Sequence, residues 1–385
     1  MVEIKKPNWD DSLINVVSSI LKNFGYHSKY KTNDIVDKAL TKKYKNIVLL
    51  LLDGLGNENL RELSPQGLLS KSQRGVVSST FPSTTVAATT TIESGVSPLE
   101  HGWLGWSLYF KELDRSIDIF PYRDSVTKEP VPIADINGKE LLKYETIYQK
   151  IGYATKGKVT SYALHPDKIS HQAEGCTNIE YSDIKDMFGR METLCQEDGV
   201  KYLYAYSANP DYDMHEFGAA APEVKQDVLD IEAELETFVS KVTDTIIIVI
   251  ADHGHIDVGW IYLTEIPGMK DCIKKFPTIE GRAKNISLMD GKKEEFLKLY
   301  HQYLAQDFLL LSKEELLAEH YFGYGEKHHK VEDFIDDYML VAMTNKALGF
   351  DSPKEGDFIM KSTHAGLTTR EMMVPLILIE KRRKK

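Results

Sequence analysis

Two uninterrupted apolar runs, each closed by an acid, set the narrowest limits on how this chain folds. Asn46-Ile47-Val48-Leu49-Leu50-Leu51-Leu52 ends at Asp53, and Thr245-Ile246-Ile247-Ile248-Val249-Ile250-Ala251 ends at Asp252-His253-Gly254. Runs this short, rich in aliphatic and β-branched residues and bounded by turn residues, read as strands covered on both faces. Such strands belong to parallel sheets flanked by helices, and ligand sites in those sheets lie at the carboxyl ends of the strands. An acid and an acid-histidine pair are thereby delivered to one edge.

Around these runs the pattern alternates. Apolar positions at Leu13, Val16, Val17, Ile20 and Leu21 predict a helix over residues 9–24, closed by Gly25. Strand patterns at residues 75–78, 158–164 and 202–207 alternate with helical ones from about Thr85, over 184–198 and over 222–242. The alternation predicts an α/β fold, a three-layer α/β/α sandwich about a mostly parallel sheet. Two stretches break the rhythm. Residues 103–135 are rich in aromatics (Trp103, Trp106, Tyr109, Phe110, Phe120, Tyr122) and are expected to make an excursion over the sheet edge. Residues 256–350, with helical runs at 294–306 and 313–320, read as a smaller inserted subdomain, because the closing strand pattern at 374–379 belongs back in the core. The expected division is a catalytic core of residues 1–255 plus 351–385 and an insert of residues 256–350.

The formal net charge of −11 argues against a nucleic-acid or anionic-membrane surface, both of which reward a basic field. A small anionic substrate would have to be drawn in locally. The opening residues carry no signal-like apolar run, and no segment approaches the roughly 20 apolar residues of a membrane span. A cytoplasmic protein is the expectation. Cys176, Cys195 and Cys272 are odd in number and unrelated in spacing, which reads as reduced structural thiols.

Metal ligation needs lone pairs available near neutral pH and positions that converge, and carboxylates and imidazoles supply the lone pairs. Asp211 and His215, in Asn209-Pro210-Asp211-Tyr212-Asp213-Met214-His215, follow a strand pattern and stand one helical turn apart on one face. Asp252 and His253 are adjacent; in extended geometry they would point to opposite sides, toward two different centres. His364 lies in the glycine-bearing loop Lys361-Ser362-Thr363-His364-Ala365-Gly366-Leu367 before the closing strand. Each has an ordinary role open to it, as Asp53 has in capping a helix. Their conjunction points to a two-metal site. A nucleophile is suggested by Phe81-Pro82-Ser83-Thr84-Thr85, which opens a small-residue helix ending at Gly95. A hydroxyl at such a helix start feels the positive end of the dipole. The pattern does not choose among Thr80, Ser83, Thr84 and Thr85.

Taken in order, Asp53-Gly54, Phe81-Pro82-Ser83-Thr84-Thr85, Pro98-Leu99-Glu100-His101-Gly102, Asp211-x-x-x-His215, Asp252-His253-Gly254 and His364-Ala365-Gly366 resemble the alkaline phosphatase superfamily. They are most similar to its type I phosphodiesterase/nucleotide pyrophosphatase branch, over residues 46–379. The family's nucleophile lies ten residues before the glycine of a Thr/Ser-Gly segment, so the resemblance implies that Thr85 is the catalytic residue, counting back from Gly95. It also implies two divalent ions, one held by Asp53, Thr85, Asp252 and His253, the other by Asp211, His215 and His364. The mixed donors suit Zn²⁺, with Mn²⁺ as a substitute. One departure stands out: nucleotide pyrophosphatases carry an asparagine four residues after His-Gly, and here that place is Trp106. Lys111 and Arg123 are candidate substrate cations.

The leading expectation is therefore a metal-dependent phosphoric ester hydrolase, a phosphodiesterase or nucleotide pyrophosphatase acting through a phospho-threonine intermediate on a small organic phosphate. A phosphomonoesterase or phosphonoacetate-type hydrolase is the alternative within the same chemistry. A metal-binding scaffold without catalysis is the alternative outside it.

Overall fold

The structure is a computed structural model that describes residues 4–132, 142–169 and 172–382. The two apolar runs, as Asn46–Leu52 and Thr245–Ile250, lie side by side within a seven-stranded sheet, and every residue of both is buried. Across that sheet the order is Gln73–Ser78, Met373–Lys381, Thr245–Ile250, Asn46–Leu52, Val200–Ser207, Val159–Pro166, Thr177–Tyr181. Neighbours pair in parallel except at Met373–Lys381, which is antiparallel to both of its flanks. In the register, Leu51 stands opposite Tyr206 on one side and Ile250 on the other. The three central strands therefore end level, and Asp53, Asp211 and Asp252 all leave from one edge.

Helices cover the sheet because strands buried on both faces leave no solvent side. Leu13–Asn23 buries Leu13, Ile14, Val16, Val17, Ile20 and Leu21 and opens with a Ser12–Asn15 capping box. It starts later than its spacing predicts, since Asn8 to Asp11 close a turn instead. Pro222–Lys241 buries Val224, Val228, Ile231, Leu235 and Phe238, one stripe of a long helix. No helix among the described residues is long and apolar enough to cross a membrane.

A second seven-stranded sheet runs Phe308–Ser312, Tyr338–Ala342, Ala283–Ile286, Thr278–Ile279, Ser107–Phe110, Arg115–Asp118, Arg123–Asp124, with every pair antiparallel. The aromatic stretch therefore enters a sheet separate from the main one. Its described part supplies three strands here, joined where Ser107 stands opposite Ile279; residues 133–135 lie outside the described residues. The physical reason is apolar burial: Leu108, Phe110, Ile117 and Ile119 share a core with Val331, Phe334, Met339 and Val341. This smaller layer thus draws on two separated stretches, residues 107–124 as well as part of 256–350.

One buried ion pair ties the layers together. Arg282 and Glu371 are both fully buried. Arg282 Nε and Nη2 donate to the two Glu371 oxygens at 2.6 and 2.7 Å, and its Nη1 and Nη2 also donate to the Lys346 and Thr344 carbonyls at 2.6 and 2.8 Å. Glu371 accepts in addition from the Gly366 N–H at 2.7 Å and from the Thr368 hydroxyl at 2.5 Å, close in sequence to His364. Removing one member of such a pair strands the other charge in the interior. Arg282→Ala is expected to lower the unfolding free energy by about 3–5 kcal/mol in a urea titration; a loss under about 1 kcal/mol would show that the pair does not clamp the layers.

Candidate functional site

The site is built at the level edge of the three central strands. Asp53 follows Leu52 directly; its N–H donates to the Ser207 carbonyl at 3.0 Å, and Tyr206 Oη donates to its Oδ2 at 2.5 Å. Gly54 has φ +75°, and a Cβ there would sit 2.9 Å from both the Asp211 Cβ and the His255 ring, so only glycine lets the chain turn this tightly. Its N–H donates to Asp252 Oδ1 at 3.1 Å. The other oxygen, Asp252 Oδ2, is buried without a hydrogen-bond partner.

Thr85 is the first residue of the helix Thr85–Ser94, with Thr84 extended before it. Its hydroxyl lies 3.4 and 3.5 Å from the Asp53 oxygens and 3.1 Å from His253 Nε2. The rival hydroxyls point elsewhere. Thr80 donates to the Pro82 carbonyl at 3.0 Å, Ser83 to the Gly366 carbonyl at 3.0 Å and Thr84 to Glu280 at 2.6 Å. Of the four, Thr85 alone faces Asp53 and His253 in these contacts.

Beside this group stands a second. Asp211 opens the helix Asp211–Phe217, which carries His215 one turn on, with His215 Nε2 3.5 Å from Asp211 Oδ2. His364 Nε2 lies 3.8 Å from Asp211 Oδ1, and the His364 ring stacks on His253 with centroids 3.7 Å apart. The outer nitrogens fix the tautomers. His215 Nδ1 meets the Ser362 carbonyl at 2.8 Å, His364 Nδ1 the Ser83 carbonyl at 3.1 Å, and His253 Nδ1 the Gly254 carbonyl at 3.4 Å. A carbonyl only accepts, so each Nδ1 carries the proton and each Nε2 turns a lone pair inward, the arrangement of metal-binding imidazoles.

Electrostatics make the same point. Burial holds the Asp53 carboxyl well above the usual carboxylate range, with the charges of Asp252 and Asp211 adding to it. Burial pushes Asp211 the same way, but His215, His255 and His364 outweigh it and leave that carboxyl well below its usual range. Burial also drives the His364 imidazole well down, with His253 beside it acting in the same sense. Three clustered carboxylates with inward lone pairs are unstable company unless cations join them.

The residues fit divalent ions. Two donors at about 2.0–2.1 Å from one tetrahedral ion are roughly 3.4 Å apart. The Asp53–His253 and Asp252–His253 separations are both 3.4 Å, and Asp211–His215 is 3.5 Å. Two clusters can each hold a metal ion by the convergence of their donor atoms, Asp53 with Asp252 and His253, and Asp211 with His253, His255 and His364.

All seven residues singled out in the sequence, Asp53, Thr85, Asp211, His215, Asp252, His253 and His364, thus meet at one edge. Asp252 and His253 do not face separate centres as extended geometry would have them. The strand ends at Ile250, the chain then turns, and the two side chains come within 3.4 Å of each other. Lys111 pairs with Asp333 at 2.8 Å and Arg123 with Asp118 at 3.0 Å, so both candidate substrate cations are engaged by acids. The sequence reading passed over His255, although it completes Asp252-His253-Gly254-His255, and over Tyr206 and Glu280, whose strand and loop positions carry no motif. Trp106 is exposed, donates its backbone N–H to Glu280 at 2.9 Å and meets Phe120 edge to face at 6.0 Å.

Residues 47–348 match the family model described as type I phosphodiesterase / nucleotide pyrophosphatase. The chain belongs to that family. Its members are phosphoric ester hydrolases of the alkaline phosphatase superfamily, and this chain is an enzyme of that class. No curated protein matches it significantly. Among solved structures, murine ectonucleotide pyrophosphatase/phosphodiesterase 5, an inactive threonine-to-alanine variant in complex with AMP, is 14% identical with a TM-score of 0.64, covering 89% of this chain and 91% of that one. The human protein of the same name is 14% identical, with a TM-score of 0.63 and coverages of 89% and 91%. Phosphonoacetate hydrolase from Sinorhizobium meliloti 1021, in complex with phosphonoformate, is 20% identical, with a TM-score of 0.62 and coverages of 88% and 90%. At these identities the likeness is one of fold.

The repulsion among Asp53, Asp211 and Asp252 gives a direct expectation for this family member. Zn²⁺ at about 100 times its dissociation constant should add about 2.7 kcal/mol of stability, read as a rise in melting temperature that a chelator reverses. Asp252→Asn should shrink the rise. An unchanged melting temperature on adding Zn²⁺ or Mn²⁺ would contradict the site.

Proposed function

We propose that this enzyme is a metal-dependent phosphodiesterase that cleaves small organic phosphate diesters, nucleotide-like ones included, through a covalent intermediate on Thr85. The observation that carries the reading is the Thr85 hydroxyl at a helix start, within 3.5 Å of Asp53 and His253 while its neighbouring hydroxyls are turned away. Asp53, Thr85, Asp252 and His253 would hold one divalent ion, and Asp211, His215 and His364 the other. Zn²⁺ suits these donors, with Mn²⁺ as a substitute. Bound there, such ions acidify a hydroxyl or water and offset charge on phosphoryl oxygens.

The chain's own residues supply the rest. Tyr206 and the Gly54 N–H fix the two acids, and the backbone carbonyls of Ser362, Ser83 and Gly254 hold three imidazoles in register. The Thr85–Ser94 helix opens without a side-chain cap, and the positive end of its dipole favours negative charge there. In the first half-reaction Thr85 Oγ1 bonds to phosphorus as the bond to the leaving alcohol's oxygen breaks, and that oxygen takes a proton. In the second, water attacks the phospho-threonine and the Thr85 hydroxyl is regenerated. The fold-relative inactivated by exchanging one threonine for alanine supports a threonine nucleophile. Small soluble esters, rather than nucleic acid or membrane, suit a chain of net charge −11, and a cytoplasmic location is part of the proposal.

Trp106 in the place of the pyrophosphatase asparagine favours a second reading, a phosphonate or phosphomonoester hydrolase. Hydrolysis of bis-p-nitrophenyl phosphate, p-nitrophenyl phosphate and the p-nitrophenyl ester of thymidine monophosphate, with metal restored, separates the two. Diester cleavage well above monoester cleavage is the expected result. Monoester preference would move the assignment, and bound metal without turnover on any phosphate or phosphonate ester would make the chain a scaffold. Thr85→Ala should lower kcat by at least about a thousandfold even with metal in excess, whereas Thr84→Ala should retain most activity; the reverse order would show that the wrong hydroxyl is named.

A further inference from the structure

His255 is fully buried at the heart of the site and has no part in the two ligand sets proposed above. Its backbone is clamped on three sides. The N–H donates to Asn59 Oδ1 at 3.0 Å, and the carbonyl accepts from Asn59 Nδ2 at 3.2 Å and from Arg370 Nε at 2.7 Å. The next residues, Ile256–Asp257, pair antiparallel with Ser362–Thr363, which ties the loop after Asp252 to the loop that carries His364. Its ring is held at both ends, with Nδ1 2.8 Å from the Ser362 hydroxyl and Nε2 2.5 Å from Asp211 Oδ1.

We propose that His255 is a positioning residue, not a ligand: its Nε2–H holds Asp211 Oδ1 so that Asp211 Oδ2, beside His215, is left for a divalent cation. The inference rests on the metal-dependent reading above. Three observations separate the two roles. First, 2.5 Å is a hydrogen-bond length, well short of the roughly 3.4 Å between two donors on one tetrahedral ion, whereas His215 and Asp211 stand at 3.5 Å. Second, the Nδ1 partners differ. His215, His253 and His364 meet carbonyls, which force the proton onto Nδ1, while His255 meets a hydroxyl, which can donate and so leave the proton on Nε2. Third, Asp211, His215 and His364 already make three protein donors; a fourth would close a tetrahedral ion to substrate, and catalytic sites keep that place open.

Ser362 thereby sets two imidazoles at once, His215 through its carbonyl and His255 through its hydroxyl. Partners of this outer kind typically govern metal affinity by 10–100-fold. The test is zinc titration by calorimetry, with metal content counted by mass spectrometry, on the full chain and on His255→Ala, His255→Gln and Ser362→Ala. The full chain is expected to take two equivalents. His255→Ala should still take two, with one weakened about 10–100-fold. His255→Gln, whose amide N–H can reach Asp211, should recover most of that loss, and Ser362→Ala should fall between. His255→Ala binding both ions as tightly as the full chain would overturn the proposal, as would loss of one equivalent that glutamine fails to restore, which is the mark of a ligand. If His255→Ala does not fold by circular dichroism, Ser362→Ala decides: unchanged zinc affinity there overturns the proposal. A full chain that binds no zinc would overturn the metal-dependent reading and this inference with it, an outcome distinct from the others.

Discussion

Three carboxylates packed at one largely buried edge, Asp53, Asp211 and Asp252, are the constraint on which the rest of this structure turns. Among the described residues, every ion pair these acids make is with a histidine, and none is with lysine or arginine. A folded protein does not retain such a cluster for stability, since burial and mutual repulsion both oppose it. Burial also lowers the proton affinity of His364 and His255, His255 being held down to about 4 despite Asp211 beside it. What the cluster offers is a set of lone pairs suited to divalent cations, which is what the proposed metal-dependent function asks of it.

The two layers divide the labour. The main sheet fixes where the acids leave, through the level register of its three central strands. The smaller sheet reaches the same edge from the other side. Glu280, between two of its strands, accepts from the Thr84 hydroxyl and the Trp106 N–H, one residue away from Thr85. Arg282, two residues on, grips Glu371 and through it Gly366, near His364. The helix start that presents Thr85 and the loop that presents His364 are therefore both held by the residues 280–282. This gives the second sheet a role in aligning the site, in addition to closing a hydrophobic core of its own.

The sequence carried much of this and lacked the rest for identifiable reasons. The central strands were legible because a strand buried on both faces writes a continuous apolar run, as residues 47–52 and 245–251 do. The candidate ligands were legible because Asp53, Asp252 and His253 follow such runs and Asp211 and His215 stand one helical turn apart, whereas His364, in a glycine-bearing loop, was marked chiefly by the resemblance. The four-way choice at residues 80–85 was open to pattern, and only the resemblance implied Thr85, because small hydroxylated residues all cap and all pack; which one faces Asp53 depends on a turn that no periodicity records. The smaller sheet was missed because its strands are two to five residues long and pair across distant parts of the chain. His255 was passed over because its partners, Asp211 and Ser362, lie far away in sequence.

The most direct test of the central claim is a crystal structure of the zinc-loaded protein with anomalous scattering measured at the zinc edge. Two peaks flanking Thr85 are expected, one among Asp53, Asp252 and His253 and one among Asp211, His215 and His364, with His255 bonded to Asp211 and not to an ion. A single peak, or ions held away from Thr85, would contradict the claim.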